Sequence, residues 1–215
     1  MSRKQLFGVL AAVLMSCFDG RGAHAQSDTP RLEVGAQFST LEIDDARGLG
    51  ERREAGFGGR LTYNLGRHFA LEAEINYFPR DYRLVTTDFT GGRVIQGLFG
   101  PKAGIRGEKF GLFGKVRPGF QSSGRAARAR FPNGNGPDPG DPFGFEFFRA
   151  TQLTLDVGGV FEYYPSRRYV VRFDLGDTIT RYPNVEFVLL PAGTPVRETV
   201  YSHKVQFSAG FGFRF

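Results

Sequence analysis

The chain closes on FSAGFGFRF, residues 207–215, and the spacing of its rings decides how everything before it is read. Counting from Tyr201, the odd positions are Tyr201, His203, Val205, Phe207, Ala209, Phe211, Phe213 and Phe215. The even positions are Ser202, Lys204, Gln206, Ser208, Gly210, Gly212 and Arg214. A β-strand turns successive side chains to opposite faces, so the pattern predicts a strand with one apolar and one polar face.

The same parity recurs upstream. Phe69, Leu71, Ala73, Ile75 and Tyr77 oppose Glu72, Glu74 and Asn76, and Phe57, Leu61, Tyr63 and Leu65 oppose Arg60, Thr62 and Asn64. Leu153, Leu155, Val157, Phe161 and Tyr163 oppose Gln152, Thr154, Asp156 and Glu162. Tyr169, Val171, Phe173 and Leu175 oppose Arg172 and Asp174, and Leu32, Val34, Ala36 and Phe38 oppose Glu33, Gln37 and Ser39. Two segments, RVIQGLFGPKAGI (93–105) and FGLFGKVRPGF (110–120), alternate less cleanly because Leu98 and Phe113 fall on the polar side. The count is about eight strands, the smallest common number for a transmembrane barrel.

Alternation also suits a soluble sandwich. The connections separate the two. They are predicted over residues 42–54, 66–68, 79–92, 106–109, 121–147, 165–168 and 177–198, long and short in turn. A barrel with both ends in the periplasm has short turns there and long loops outside, whereas a sandwich has no reason to sort its loops by parity. The predicted fold is therefore all-β, a transmembrane antiparallel up-and-down β-barrel. In the last connection VEFVLL (185–190) precedes Ala192, Gly193, Thr194 and Pro195. This segment predicts a hairpin extending the last two strands outside the membrane, or, if it enters the wall, a ten-stranded barrel.

Composition and the first residues agree with an exported β-protein. With 40% apolar and 23% charged residues the chain is not a disordered one, and 30 Gly with 23 Phe and no Trp favour strands and turns. The net charge of +6 is dispersed along the chain, so no nucleic-acid partner is expected. Arg3 and Lys4, the apolar run LFGVLAAVLMSCF (6–18) and Ala23-His24-Ala25 have the order of a secretory signal. Residues 1–25 are predicted to be removed, leaving a domain over 26–215. A lipid-modified Cys17 is the weaker alternative, because Met15 suits a lipoprotein box poorly. The apolar run is shorter than the ~20 residues of a spanning helix, and no later stretch approaches that length. A chain of this kind that crosses a membrane must do so as a closed barrel.

On the A-x-A end of the signal, the strand-turn-strand GIRGEKFGLFGKVRPGF (104–120) and the aromatic C-terminus, the chain resembles the small outer-membrane β-barrel family. That family includes OmpA-like, OmpW-like and Opa-like barrels. The resemblance implies outer-membrane location and architecture, not an activity, and no peptidoglycan-binding module is expected after the barrel. It also implies a barrel assembly machinery as partner: Gly210, Phe213 and Phe215 look like the glycine and two hydrophobic positions of the C-terminal assembly signal. Ala209 departs from the polar residue usual there.

Parity also names the lumen. The inward set includes Arg60, Glu72, Glu74, Lys102, Lys115, Arg117, Asp156, Glu162, Arg172 and Asp174. Side chains nearly fill so small a barrel. Mixed charges there are expected to pair into a plug, because an unpaired charge would cost several kcal/mol. The alternative is a narrow passive pore for ions or small solutes.

Outside the barrel, Arg125, Arg128 and Arg130 open the longest connection, where guanidinium groups can meet lipopolysaccharide phosphates or remain solvated. Asp138 and Asp141 are too sparse for a calcium site, and no metal or cofactor is expected. His203 is predicted to face outward and Ser202 inward, so the two cannot form a catalytic pair and no enzyme is expected. An aromatic girdle near the short turns is predicted from Tyr63, Phe69, Tyr77, Phe78, Tyr163, Tyr164 and Tyr169. A monomer is expected.

Overall fold

A computed structural model describes residues 30–44, 51–79, 82–84, 87–89, 92–130, 144–188 and 195–215. The strands are β1 (Leu32–Asp44), β2 (Glu51–Asn64), β3 (Phe69–Phe78), β4 (Tyr82–Leu84), β5 (Thr87–Phe89) and β6 (Val94–Arg106). They continue with β7 (Phe110–Arg130), β8 (Gly144–Tyr163), β9 (Tyr169–Val188) and β10 (Pro195–Arg214). Eight of them close a barrel in the order β1-β10-β9-β8-β7-β6-β3-β2, and β4 with β5 forms a separate two-stranded ribbon. All neighbours are antiparallel.

The seam joins the two ends of the chain. Pairs from Glu33↔Arg214 to Leu41↔Gln206 hold β1 to β10, and Phe215 N donates to Leu32 O at 2.8 Å. Phe207, Phe211 and Phe213 therefore lie on the closing strand, and Phe215 directly follows it. Closure leaves the barrel wall without the unpaired edge that hydrocarbon would penalise.

Burial is inverted relative to a soluble sandwich. Phe57, Ile75, Phe99 and Leu175 are 58–62% exposed on the outer wall, while Arg117 and Arg172 are 1% and 0% exposed inside. A belt of aromatic and aliphatic side chains runs round the outside, far more apolar surface than a soluble monomer presents in one patch.

Strand lengths divide the barrel into a low and a tall wall. β3 has 10 residues, and β7, β8, β9 and β10 have 20 or 21. About 9–11 tilted residues cross a hydrocarbon core, so the four long strands overrun it by roughly ten residues each. β8 and β9 pair only from Leu153↔Arg181 downward. Above that level the chain rises as two separate hairpins, β7–β8 and β9–β10.

These extents correct the predicted connections. Residues 42–44 and 51–54 belong to β1 and β2, residues 121–130 and 144–147 to β7 and β8, and residues 177–188 and 195–198 to β9 and β10. In these upper stretches the ladder continues although the residues do not alternate cleanly between apolar and polar. The ten-stranded alternative is excluded: Val185↔Glu198 to Val188↔Pro195 extend the β9–β10 hairpin, beyond a bulge at Glu198/Val200. The predicted signal over 1–25, Cys17, Asp138 and Asp141 lie outside the described residues.

Candidate functional site: a charged lumen beneath two hairpins

Inward positions on every wall strand deliver a layered interior. All ten charged residues assigned to the lumen by parity are at most 5% exposed, and each makes an ion pair. Glu72 on β3 is the hub. It accepts both terminal nitrogens of Arg172 from β9, the Nη2–Oε2 distance being 2.8 Å, and lies 3.1 Å from Lys102 Nζ and 3.4 Å from Arg117 Nη1.

The other cations distribute themselves over the remaining carboxylates. Arg117 donates through Nε and Nη2 to Asp156 Oδ2 at 2.8 and 2.6 Å and through Nη1 to Glu74 Oε2 at 2.6 Å. Lys115 sits 2.9 Å from Asp156 and 3.1 Å from Asp174, whose Oδ2 also takes Arg172 Nε at 2.6 Å. Lys102 pairs with Glu162. Arg60 donates to Gln37 Oε1 at 3.1 Å and lies 3.9 Å from Asp174. Such sharing offsets desolvation that single pairs offset poorly.

At the short-turn end a second cluster closes the network, and the predicted set omitted most of it. Arg106 Nε donates to Tyr164 Oη at 3.0 Å, and Tyr164 donates to Glu162 Oε2 at 2.6 Å. Glu33 accepts from Asn64 Nδ2 at 2.9 Å and Arg214 Nε at 3.1 Å. Glu33 and Arg214 carried the polar parity of their strands, so the signal was present. Arg106 falls in a predicted turn, and Tyr164 on the predicted girdle.

Above the charges lies a neutral layer, then an apolar one. Gln96 and Gln206 exchange amide hydrogen bonds across the lumen at 2.9 and 3.1 Å, and Asn76 bridges Gln37, Glu74 and Gln96 at 2.7–3.0 Å. Leu41, Phe78 and Val94, each 0% exposed, pack together at the long-loop ends of β1, β3 and β6.

The predicted girdle is corrected at three residues. Phe78 and Tyr164 are buried in the lumen because they carry the inward parity of Glu74 and Glu162, and Tyr77 lies at the end of β3 away from its short turn. Tyr63, Phe69, Tyr163 and Tyr169 do face outward near the short turns. Tyr169 meets Phe211 and Phe213 at 5.4 and 5.5 Å, and Phe213 meets Phe215 at 4.8 Å. Leu98 and Phe113 are buried inside, Phe113 beneath Lys102 Nζ at 4.7 Å. At Gly210 a Cβ would come within 2.7 Å of Ala36 O, so the seam needs glycine there.

Arg125, Arg128 and Arg130 belong to β7 and not to a loop. Arg128 pairs with Glu146 and Arg130 with Gly144 beyond a bulge at Ser123/Ala126, and their side chains lie outside the described part. One outward pair escaped the sequence: His203 Nδ1 lies 2.6 Å from Asp177 Oδ2 on the outer wall. Asp177 had been placed in a connection. Val205, across from Asp177, and Tyr201 share this outward face.

No protein-family model and no curated protein sequence matches the chain. Solved structures do. The attachment invasion locus protein Ail of Yersinia pestis is similar at 14% identity with a TM-score of 0.51, over 87% of this chain and 99% of that one. The same protein in complex with the heparin analogue sucrose octasulfate is similar at 13% identity and a TM-score of 0.51, over 87% and 99%. Neisserial surface protein A is similar at 15% identity with a TM-score of 0.51, over 86% and 97%. With its closed eight-stranded wall, apolar outside and charged inside, this chain has the fold of the small outer-membrane β-barrels.

Proposed function

We propose that the protein is an integral outer-membrane barrel that acts at its surface, through the β7–β8 and β9–β10 hairpins, with its lumen sealed. The carrying observation is the Glu72–Arg172 bridge across the full width of the lumen within a network that leaves each predicted lumen charge paired. The apolar cluster of Leu41, Phe78 and Val94 adds a second barrier at the long-loop end. A solute would have to break buried ion pairs to pass, at several kcal/mol each.

The hairpins suit the surface role. Above Leu153 and Arg181 the facing edges of β8 and β9 are unpaired with one another, and such edges can accept an added strand from a partner. Outer-leaflet lipopolysaccharide is the lipid partner in this reading. Arg93, Arg149 and Arg181 are exposed toward the long-loop end and supply phosphate donors beside Arg125, Arg128 and Arg130 of β7. Gly210, Phe213 and Phe215 on the closing strand serve as the assembly signal. The chain is a monomer exported by a cleaved signal peptide, and no enzymatic role is assigned.

Purified protein refolded in detergent should migrate as a heat-modifiable band and give no discrete openings in planar bilayers. Deleting residues 185–196 should leave that band intact and abolish surface binding. A narrow passive pore is the second reading. Its support is that Glu33 Oε2, Arg106 Nη1 and Asp156 Oδ1 are buried without a hydrogen-bond partner among the described residues, so water could enter at these points. Discrete single-channel currents from folded protein would favour it.

A further inference from the structure

Every wall strand that starts at the short-turn end is preceded by a basic residue and begins with an exposed apolar one. Arg31 precedes Leu32 of β1, His68 precedes Phe69 of β3, Lys109 precedes Phe110 of β7 and Arg168 precedes Tyr169 of β9. Arg67 and Arg167 double the basic residue in two of the turns. All six basic side chains are exposed, and Glu108 is the one exposed carboxylate side chain on that rim among the described residues.

The ring is held rigidly. The carbonyls of Arg31, His68, Lys109 and Arg168 accept backbone hydrogen bonds from Asn64, Gly104, Tyr164 and Arg214 at 2.8–2.9 Å, which places one basic residue on the last rung at every second strand. Arg67 Nε donates to Arg106 O at 2.9 Å and ties its turn to β6. Directly above, Leu32, Phe69, Phe110 and Tyr169 are 37–53% exposed on the outer wall. A ring of apolar groups at the edge of the hydrocarbon with exposed basic groups one residue below it, the cations Arg31, Lys109 and Arg168 and, at His68, the adjoining cation Arg67, matches one surface: acyl chains ending in phosphate headgroups.

From this we propose that the short-turn rim is a binding collar for anionic phospholipid headgroups, phosphatidylglycerol in particular, in the leaflet opposite the long loops. The inference rests on the reading of the chain as a membrane barrel. The cations contact the phosphates, the rings sit among the glycerol and upper acyl groups, and together they set the depth of the barrel. The collar is independent of Arg93, Arg149 and Arg181 at the other end.

The test compares spin-labelled phosphatidylglycerol with spin-labelled phosphatidylcholine in vesicles containing the refolded protein. The labelled anionic lipid should associate at least about threefold more strongly than the zwitterionic one, and molar salt should abolish the difference. R67Q/K109Q/R167Q/R168Q should bring the ratio to about one, whereas R93Q/R149Q/R181Q should keep most of it. Should the quadruple variant not fold, R93Q/R149Q/R181Q decides the matter: a preference kept there supports the collar, and a preference lost there overturns it. Insertion with equal affinity for the two lipids, or a preference lost only in the long-loop variant, overturns the collar alone. Absence of a heat-modifiable band in any vesicle overturns the barrel reading together with it.

Discussion

Glu72 and Arg172 meet by a two-point contact although β3 and β9 stand diametrically opposite in the closed order of eight strands. The pair is a strut: it fixes the distance between opposite walls, which backbone ladders between neighbours control only indirectly. Gln96 on β6 and Gln206 on β10 form a second strut across another diameter, made of neutral amides. A lumen braced across its width in this way resists a change of cross-section as long as both partners of each strut are present.

Removing one end of the strut should be severe. Glu72→Ala leaves Arg172, Lys102 and Arg117 each short of a partner, and should lower unfolding stability by roughly 3–5 kcal/mol. Replacing both ends, Glu72→Leu with Arg172→Met, should cost less than the single change, because one charge of each sign is removed and the neighbours keep other partners: Lys102 keeps Glu162, Arg117 keeps Glu74 and Asp156, and Asp174 keeps Lys115. Urea unfolding followed by heat-modifiable migration measures both. A double variant weaker than Glu72→Ala would show that the strut itself, and not charge burial, carries the effect.

Space in the lumen is as specific as charge. Gly176 lies between Asp174 and Thr178 on β9, and a Cβ there would approach Asp156 Oδ1 to 2.6 Å and Val157 O to 3.0 Å. Gly176→Val should displace the Asp156 carboxylate from Arg117 and Lys115, at about 1–3 kcal/mol for overpacking alone. Gly159 on the outer wall meets its nearest atom at 3.9 Å, so Gly159→Ala should be close to neutral. Parallel unfolding curves for the two variants give the comparison.

The outer wall should respond to depth. Val157 lies between Leu153 and Phe161 in the apolar belt of β8, and Val157→Arg should cost about 2–4 kcal/mol in a bilayer. Tyr201, higher on β10 and 59% exposed, should tolerate Arg at about 0–1 kcal/mol. Equal penalties at the two positions, measured by refolding equilibria in vesicles, would place the belt elsewhere.

The outward His203–Asp177 contact supplies the counterpart to the lumen pairs. Protein leaves 63% and 43% of the two side chains uncovered, so with water at that level of the wall His203→Ala should change stability by less than about 1 kcal/mol. A loss comparable to that of Glu72→Ala would mean that the pair is desolvated by lipid and contributes far more than its exposure suggests.

The backbone's two-residue period made much of this protein legible. Parity assigned Arg60, Glu72, Glu74, Asp156, Glu162, Arg172 and Asp174 to one face and Phe57, Ile75, Val157 and Phe173 to the other, because a pleated strand leaves a side chain no third direction. Loop lengths sorted by parity then separated a barrel from a sandwich. The same rule, applied without regard to polarity, would have placed Phe78 and Tyr164 inside. Aromatic character, which predicts an outward place on the girdle, is the weaker signal at both positions.

What parity cannot carry is the angle around the barrel, or the height at which a strand ends. The stagger of strands around the closed wall decided that Glu72 faces Arg172 across the lumen while Arg117 takes Glu74 and Asp156, since those partners lie up to 100 residues apart and any inward cation had the right chemistry. Tertiary structure alone also decided that residues 121–130 and 177–188 continue as strand. There hydrogen bonding to a neighbour sustains the strand, and no clean alternation of apolar and polar residues records it.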